Sequence, residues 1–126
     1  MTTESYREAT NFRAAWYGNS LTSFPLIDTS SGTNFGSAWR DNAELVDFPA
    51  NFFDNIKGGN LDGAFDATNL NEASIDGILV SLVTSGIAAG TRVFDQSGGS
   101  APSSTGEAAI DTLRSRGWTV SVTGGY

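Results

Sequence analysis

Neither histidine nor cysteine occurs among the 126 residues, so side-chain chemistry falls to carboxylates, hydroxyls and amides. The usual general base of a hydrolytic triad, the commonest transition-metal ligand and the thiol nucleophile are all missing. Carboxylate pairs of the kind a glycosidase uses can be drawn as Asp62 with Asp66, or Asp54 with Glu72. Nothing in their spacing sets two of the 14 acids apart from the others. Gly98-Gly99-Ser100 lacks the Gly-x-Ser-x-Gly pattern of a nucleophile elbow, and Gly58-Gly59 is not followed by the Gly-Lys-Ser/Thr of a phosphate loop. Both read as plain turns. No stretch follows the alternating Asp ladder of a calcium loop, so bound calcium is left open rather than assigned. The sequence therefore points to a non-enzymatic protein with no catalytic residues, no cofactor and no metal site.

Charge narrows the partners. Seven basic against 14 acidic side chains give a formal net charge of −7, the wrong sign for gripping a phosphate backbone. The excess lies in one stretch: Asp41, Glu44, Asp47, Asp54, Asp62, Asp66, Glu72 and Asp76 are opposed by Lys57 alone. Such a run most simply makes a solvated face. No apolar run approaches the roughly 20 residues of a membrane span, and Met1 to Glu8 carries no signal-like stretch. The expectation is a single domain, made in the cytoplasm, that engages neither nucleic acid nor membrane.

The elements that would position any site follow from a repeat. Asn11-Phe12-Arg13-Ala14-Ala15-Trp16 recurs as Asn34-Phe35-Gly36-Ser37-Ala38-Trp39, and more weakly as Asn60-Leu61-Asp62-Gly63-Ala64-Phe65. Leu21-x-x-Phe24-Pro25 is answered by Leu45-x-x-Phe48-Pro49, and Asn69-Leu70 opens the same phrase again. A period of this length means stacked coils. Asn at the head of each copy predicts a cap on a short helical turn, with the aromatic positions on one face. The Leu-x-x-Phe-Pro that follows predicts an extended rung, and Trp16 and Trp39 should stack as an internal ladder.

Further along, Ile75, Ile78, Leu79, Leu82 and Val83 keep helical spacing, with Ser74 as the expected cap and Gly86 beyond the end. Thr91 to Asp95 reads as a short strand. Ser104-Thr105-Gly106-Glu107 fits a capping box for a helix that buries Ala109, Ile110 and Leu113 and stops at Gly117. Trp118 to Val122 alternates as a last strand. The fold class expected is α/β, a short leucine-rich-repeat-like solenoid of about five helix-plus-strand coils with a parallel sheet. One domain covers 1–126, with 1–73 as the repeat part and 74–126 as closing coils.

The phrase Leu21 to Trp39, Leu-Thr-Ser-Phe-Pro-Leu-Ile-Asp-Thr-Ser-Ser-Gly-Thr-Asn-Phe-Gly-Ser-Ala-Trp, resembles the BspA-like leucine-rich repeats of bacterial surface proteins and of phage, including cyanophage, virion proteins. The segment from Ser74 through Val120 looks like the closing segment that follows such repeats in phage structural proteins. The third copy departs from the pattern, with Phe65 in place of Trp and no Phe-Pro.

The resemblance implies a virion structural protein, a small decoration or knob on a capsid exterior, docked to the major capsid protein or other virion proteins. Few residues precede the first repeat, so the docking face would carry Tyr6, Phe12, Trp16, Leu21 and Phe24, covered by a partner or by a second copy in a homo-oligomer. The alternative is an adhesin module of a phage tail or bacterial surface that binds a host surface or glycan. Its contacts would be Tyr17 and Arg40, each immediately after a repeat tryptophan.

Overall fold

The computed structural model describes residues 4–126. The C-terminal half is a β-α-β-α-β unit: β1 (Gly59–Phe65), α2 (Glu72–Ser85), β2 (Arg92–Gln96), α3 (Ser104–Ser115) and β3 (Thr119–Ser121), preceded at the chain start by a single helical turn, α1 (Glu4–Arg7). The three strands form one small open sheet, ordered β1-β2-β3, and both pairings are parallel. Parallel neighbours need crossovers, and the two helices supply them.

Helix α2 forms where the apolar spacing predicts it and buries Ile75, Ile78, Leu79 and Leu82. Its cap is Asn71, whose side chain accepts the Ser74 N–H at 2.9 Å; Ser74 itself lies inside the first turn. The Ser74 hydroxyl instead accepts the Phe48 N–H and donates to the Val46 carbonyl, tying the helix to the preceding coil. At the other end Gly86, at φ 74°, takes the left-handed conformation that suits glycine. Helix α3 is capped one residue earlier than the capping-box pattern suggests. Ser103 accepts the Thr105 N–H, while its own N–H and hydroxyl donate to Asp76 on α2. One acid of the central run is thus a structural anchor between the helices.

Residues 10–57 contain neither a helix nor an extended strand, which overturns the expected solenoid. Instead of five helix-plus-strand coils there are two helices longer than one turn and a three-stranded sheet among the described residues, too small for a leucine-rich-repeat solenoid. The repeat heads do stack, through parallel bridges Asn11 to Asn34 and Asn34 to Asn60. They do so as successive β-turns. Ala15 N–H donates to Phe12 O and Tyr17 N–H to Ala14 O, and the same pair recurs as Ala38 to Phe35 and Arg40 to Ser37.

The physical reason lies in the asparagines and in backbone handedness. Each head asparagine accepts the N–H two residues on, Arg13, Gly36 and Asp62 respectively, which closes an Asx-turn and not a helix cap. Ala14, Ser37 and Gly63 then sit at φ 53°, 54° and 66°, a left-handed conformation that a right-handed helix excludes. A second left-handed column follows at Gly18, Asp41 and Ala67.

These turns still bring the aromatic positions into register. Trp16 stacks on Trp39 with centroids 5.3 Å apart, and Trp39 stacks on Phe65 at 4.9 Å. Phe12 lies on Phe35 at 5.2 Å and Phe24 on Phe48 at 5.7 Å. Trp39, Phe35, Phe53, Phe65 and Phe94 are fully buried, so one core runs from the turn-built coils into the sheet.

Candidate functional site

Position by position, the first coil is the least covered member of the stack among the described residues. Ala38 and Ala64 are completely buried, whereas the register-equivalent Ala15 is exposed. Trp39 and Phe65 are completely buried, while Trp16 is half-buried. Their side chains are of the same kind; what changes is that the second and third coils have a neighbour on both sides.

Of the residues expected at a docking face, Tyr6, Phe12, Trp16 and Phe24 come together. Tyr6 lies 6.4 Å from Phe12 and 6.2 Å from Trp16 between ring centroids, and Phe24 meets Trp16 edge-on at 4.7 Å. Phe12 is 95% buried beneath Tyr6 and against Phe35, so it supports this face from below and offers little surface itself. Leu21 is half-buried against the same core. Leu26, at 58% exposure the most open large apolar side chain described, lies just beyond Phe24.

The backbone at this end is ordered by one polar side chain. Asn42 is completely buried and makes four hydrogen bonds: its Oδ1 accepts the N–H groups of Asn19 and Leu21, and its Nδ2 donates to the carbonyls of Trp16 and Trp39. A buried amide so satisfied fixes the register of the first coil on the second.

Tyr17 and Arg40, the expected recognition residues, are both exposed. The Asp41 carboxylate beside Tyr17 pushes its hydroxyl above the usual tyrosine value, mainly by accepting its proton in a hydrogen bond. The Asp28 carboxyl is held below the usual range by the Ser30 hydroxyl and N–H. Asp95 is pushed up, first by burial and then by the adjacent Asp62 carboxyl, with Asp66 adding like charge. It nevertheless accepts the Gly63 N–H at 2.9 Å. Asp54, a member of the other carboxylate pair, accepts the Ser81 hydroxyl at 2.6 Å. Among the described residues no three Asp or Glu side chains are grouped to hold a metal ion.

A groove of about 620 Å³ opens beside Leu26, walled by Asp28, Ser30, Asn51, Asp54 and Asn55 over a floor that includes Phe52. Thr29, 98% buried, is one of its lining residues, and its buried hydroxyl has no hydrogen-bond partner among the described residues. Sequence reasoning missed this groove, because its walls come from two coils. The clustered Asn51, Asp54 and Asn55 after Phe48-Pro49 were the available signal. Tyr17 and Arg40 are not among the residues that line it.

No protein-family model, curated protein or solved structure matches this chain. No helix among the described residues is long and apolar enough to cross a membrane.

Proposed function

We propose that this chain is a non-enzymatic docking protein that attaches to a larger assembly through the outer face of its first coil. The observation that carries this reading is the contrast between exposed Ala15 and the completely buried Ala38 and Ala64 at the same register position. A stack ends stably when its terminal unit is covered, and here Tyr6 covers part of the apolar column while the rest stays open. The assembly we favour is a phage capsid exterior, with the major capsid protein or another virion protein as partner. That setting rests on the likeness of the Leu21–Trp39 phrase to repeats of virion proteins.

The test is the copy number of the chain relative to the major shell protein in purified particles, by quantitative mass spectrometry, for the native chain and for Ala15→Glu. Ala15 is exposed, so the substitution leaves the fold intact and places charge and bulk on the docking face. Many copies in fixed ratio, lost with Ala15→Glu, are expected. Absence of the native chain from particles, or full incorporation of the variant, overturns the proposal.

A second reading is an adhesin that binds a glycan or host surface. The groove beside Leu26 favours it, since amide, carboxylate and hydroxyl walls over an apolar floor suit a polyhydroxylated ligand. It predicts few copies per particle and binding of the purified chain to host cells.

A further inference from the structure

Across the turn heads the hydrogen bonds run from each coil to the next, whereas at the margins Thr33 and Asn34 donate back to the Thr10 carbonyl, and Val46 and Asp47 to that of Thr22. The N–H groups of Phe12, Ala14, Trp16 and Gly18 donate to the carbonyls of Asn34, Gly36, Ala38 and Arg40, at 2.7 to 2.9 Å. The N–H groups of Phe35, Ser37, Trp39 and Asp41 donate in the same manner to Asn60, Asp62, Ala64 and Asp66, at 2.7 to 3.0 Å. In each coil, therefore, alternate carbonyls face the coil before it. By the same register the carbonyls of Asn11, Arg13, Ala15 and Tyr17 face outward from the first coil. All four residues are exposed, and no described residue donates to these carbonyls.

This row of acceptors specifies its occupant. We infer that the first coil receives a turn-forming segment of a partner polypeptide, which adds to the stack as a further coil by donating alternate main-chain N–H groups to the carbonyls of Asn11, Arg13, Ala15 and Tyr17. The inference rests on the docking function proposed above and names the chemistry of its partner. The new contact continues the interface already formed twice within the chain, between the first and second coils and between the second coil and β1. Like strand addition at a sheet edge, addition of a coil draws affinity from the main chain and specificity from the side chains alongside.

A second copy fits poorly. Two copies meeting symmetrically about this turn head would set the four carbonyls of one against the same four of the other. Head-to-tail stacking would need β3, whose three residues are too few to present alternate N–H groups to all four acceptors, and Arg114 ties Tyr126 to the middle of that strand. Asn19 supplies the clamp for an incoming segment. It is exposed and stands in the first coil where Asn42 stands in the second, three residues after the repeat tryptophan.

The probe is a synthetic peptide of the chain's own residues Thr10–Asn19, whose N–H groups at 12, 14, 16 and 18 already match an identical acceptor row. It is titrated into the full chain with carbonyl-carbon NMR shifts as readout. A second peptide carries N-methyl groups at those four positions. The expected result is binding with a Kd below about 1 mM, with shifts at Asn11, Arg13, Ala15 and Tyr17, and affinity reduced more than about tenfold for the methylated peptide. Asn19→Ala should weaken binding without moving the thermal midpoint of the chain. Absence of binding by the unmethylated peptide, or shifts elsewhere alone, overturns the inference. Equal binding of both peptides overturns main-chain coil addition but leaves docking through this end standing, whereas normal particle incorporation of Ala15→Glu overturns the docking itself.

Discussion

The Asn42 side chain donates to the carbonyl of Trp16 across the junction between the first two coils, at 2.8 Å. The same side chain holds Asn19, Leu21 and Trp39, so one buried amide closes four backbone groups that would otherwise have no partner. Asn42→Ala is expected to cost about 1–3 kcal/mol, because the Trp39 carbonyl is left unpaired in the core, while the groups of Trp16, Asn19 and Leu21 lie nearer water. Urea denaturation measures this. A cost below about 1 kcal/mol would mean that water replaces the amide.

The left-handed columns make opposite predictions for glycine and alanine. Gly63, at φ 66°, has room for a Cβ, whose nearest neighbour would be the Ser37 hydroxyl at 3.4 Å. The cost of Gly63→Ala is therefore that of the backbone conformation, about 1–2 kcal/mol. Ala67→Gly, at φ 57° on an exposed position, relieves the same strain and should stabilise by up to about 1 kcal/mol after the extra freedom of glycine in the unfolded chain is counted. Shifts of the two denaturation midpoints in the same direction would contradict this account.

Asp95 makes stability depend on pH. Its carboxyl is raised in the folded protein, first by burial, so the folded state holds the proton more tightly than the unfolded chain does. The stability that Asp95 contributes is then fully present below the ordinary aspartate value of about 3.9 and is lost as pH rises through the raised folded value. Asp95→Asn keeps an oxygen to accept the Gly63 N–H and removes the charge beside Asp62 and Asp66. Its Tm should exceed that of the native chain at neutral pH, and the difference should shrink on acidification. A lower Tm at neutral pH would show that the ionised carboxylate is favoured where it lies.

Much of the β-α-β-α-β half was legible, because Ile75 to Val83 and Ala109 to Leu113 carry helical spacing that packing then reinforces. The repeat was legible as well, since identical aromatics at a constant shift must meet in a stack. Its local conformation was not. Phe-x-x-x-Trp places two rings on one side of a helix, and two consecutive β-turns with a left-handed third residue do the same. Non-glycine residues at Ala14 and Ser37 gave no sign of positive φ, which only Gly63 in the third copy suggested. Asparagine serves both a helix cap and an Asx-turn, so the head residue did not decide between them. The contacts of Trp16 with Trp39 and of Phe24 with Phe48 were readable from the repeat. The row of outward carbonyls was not, because backbone direction leaves no mark on side-chain identity.

Since every turn-built coil offers its neighbour the same row of carbonyls, the outer edge belongs to the architecture and not to the particular residues of the first coil. Removal of that coil would uncover an equivalent row at Asn34, Gly36, Ala38 and Arg40. Side chains around the edge are then free to diverge, altering which partner is preferred while the main-chain socket that receives it stays the same.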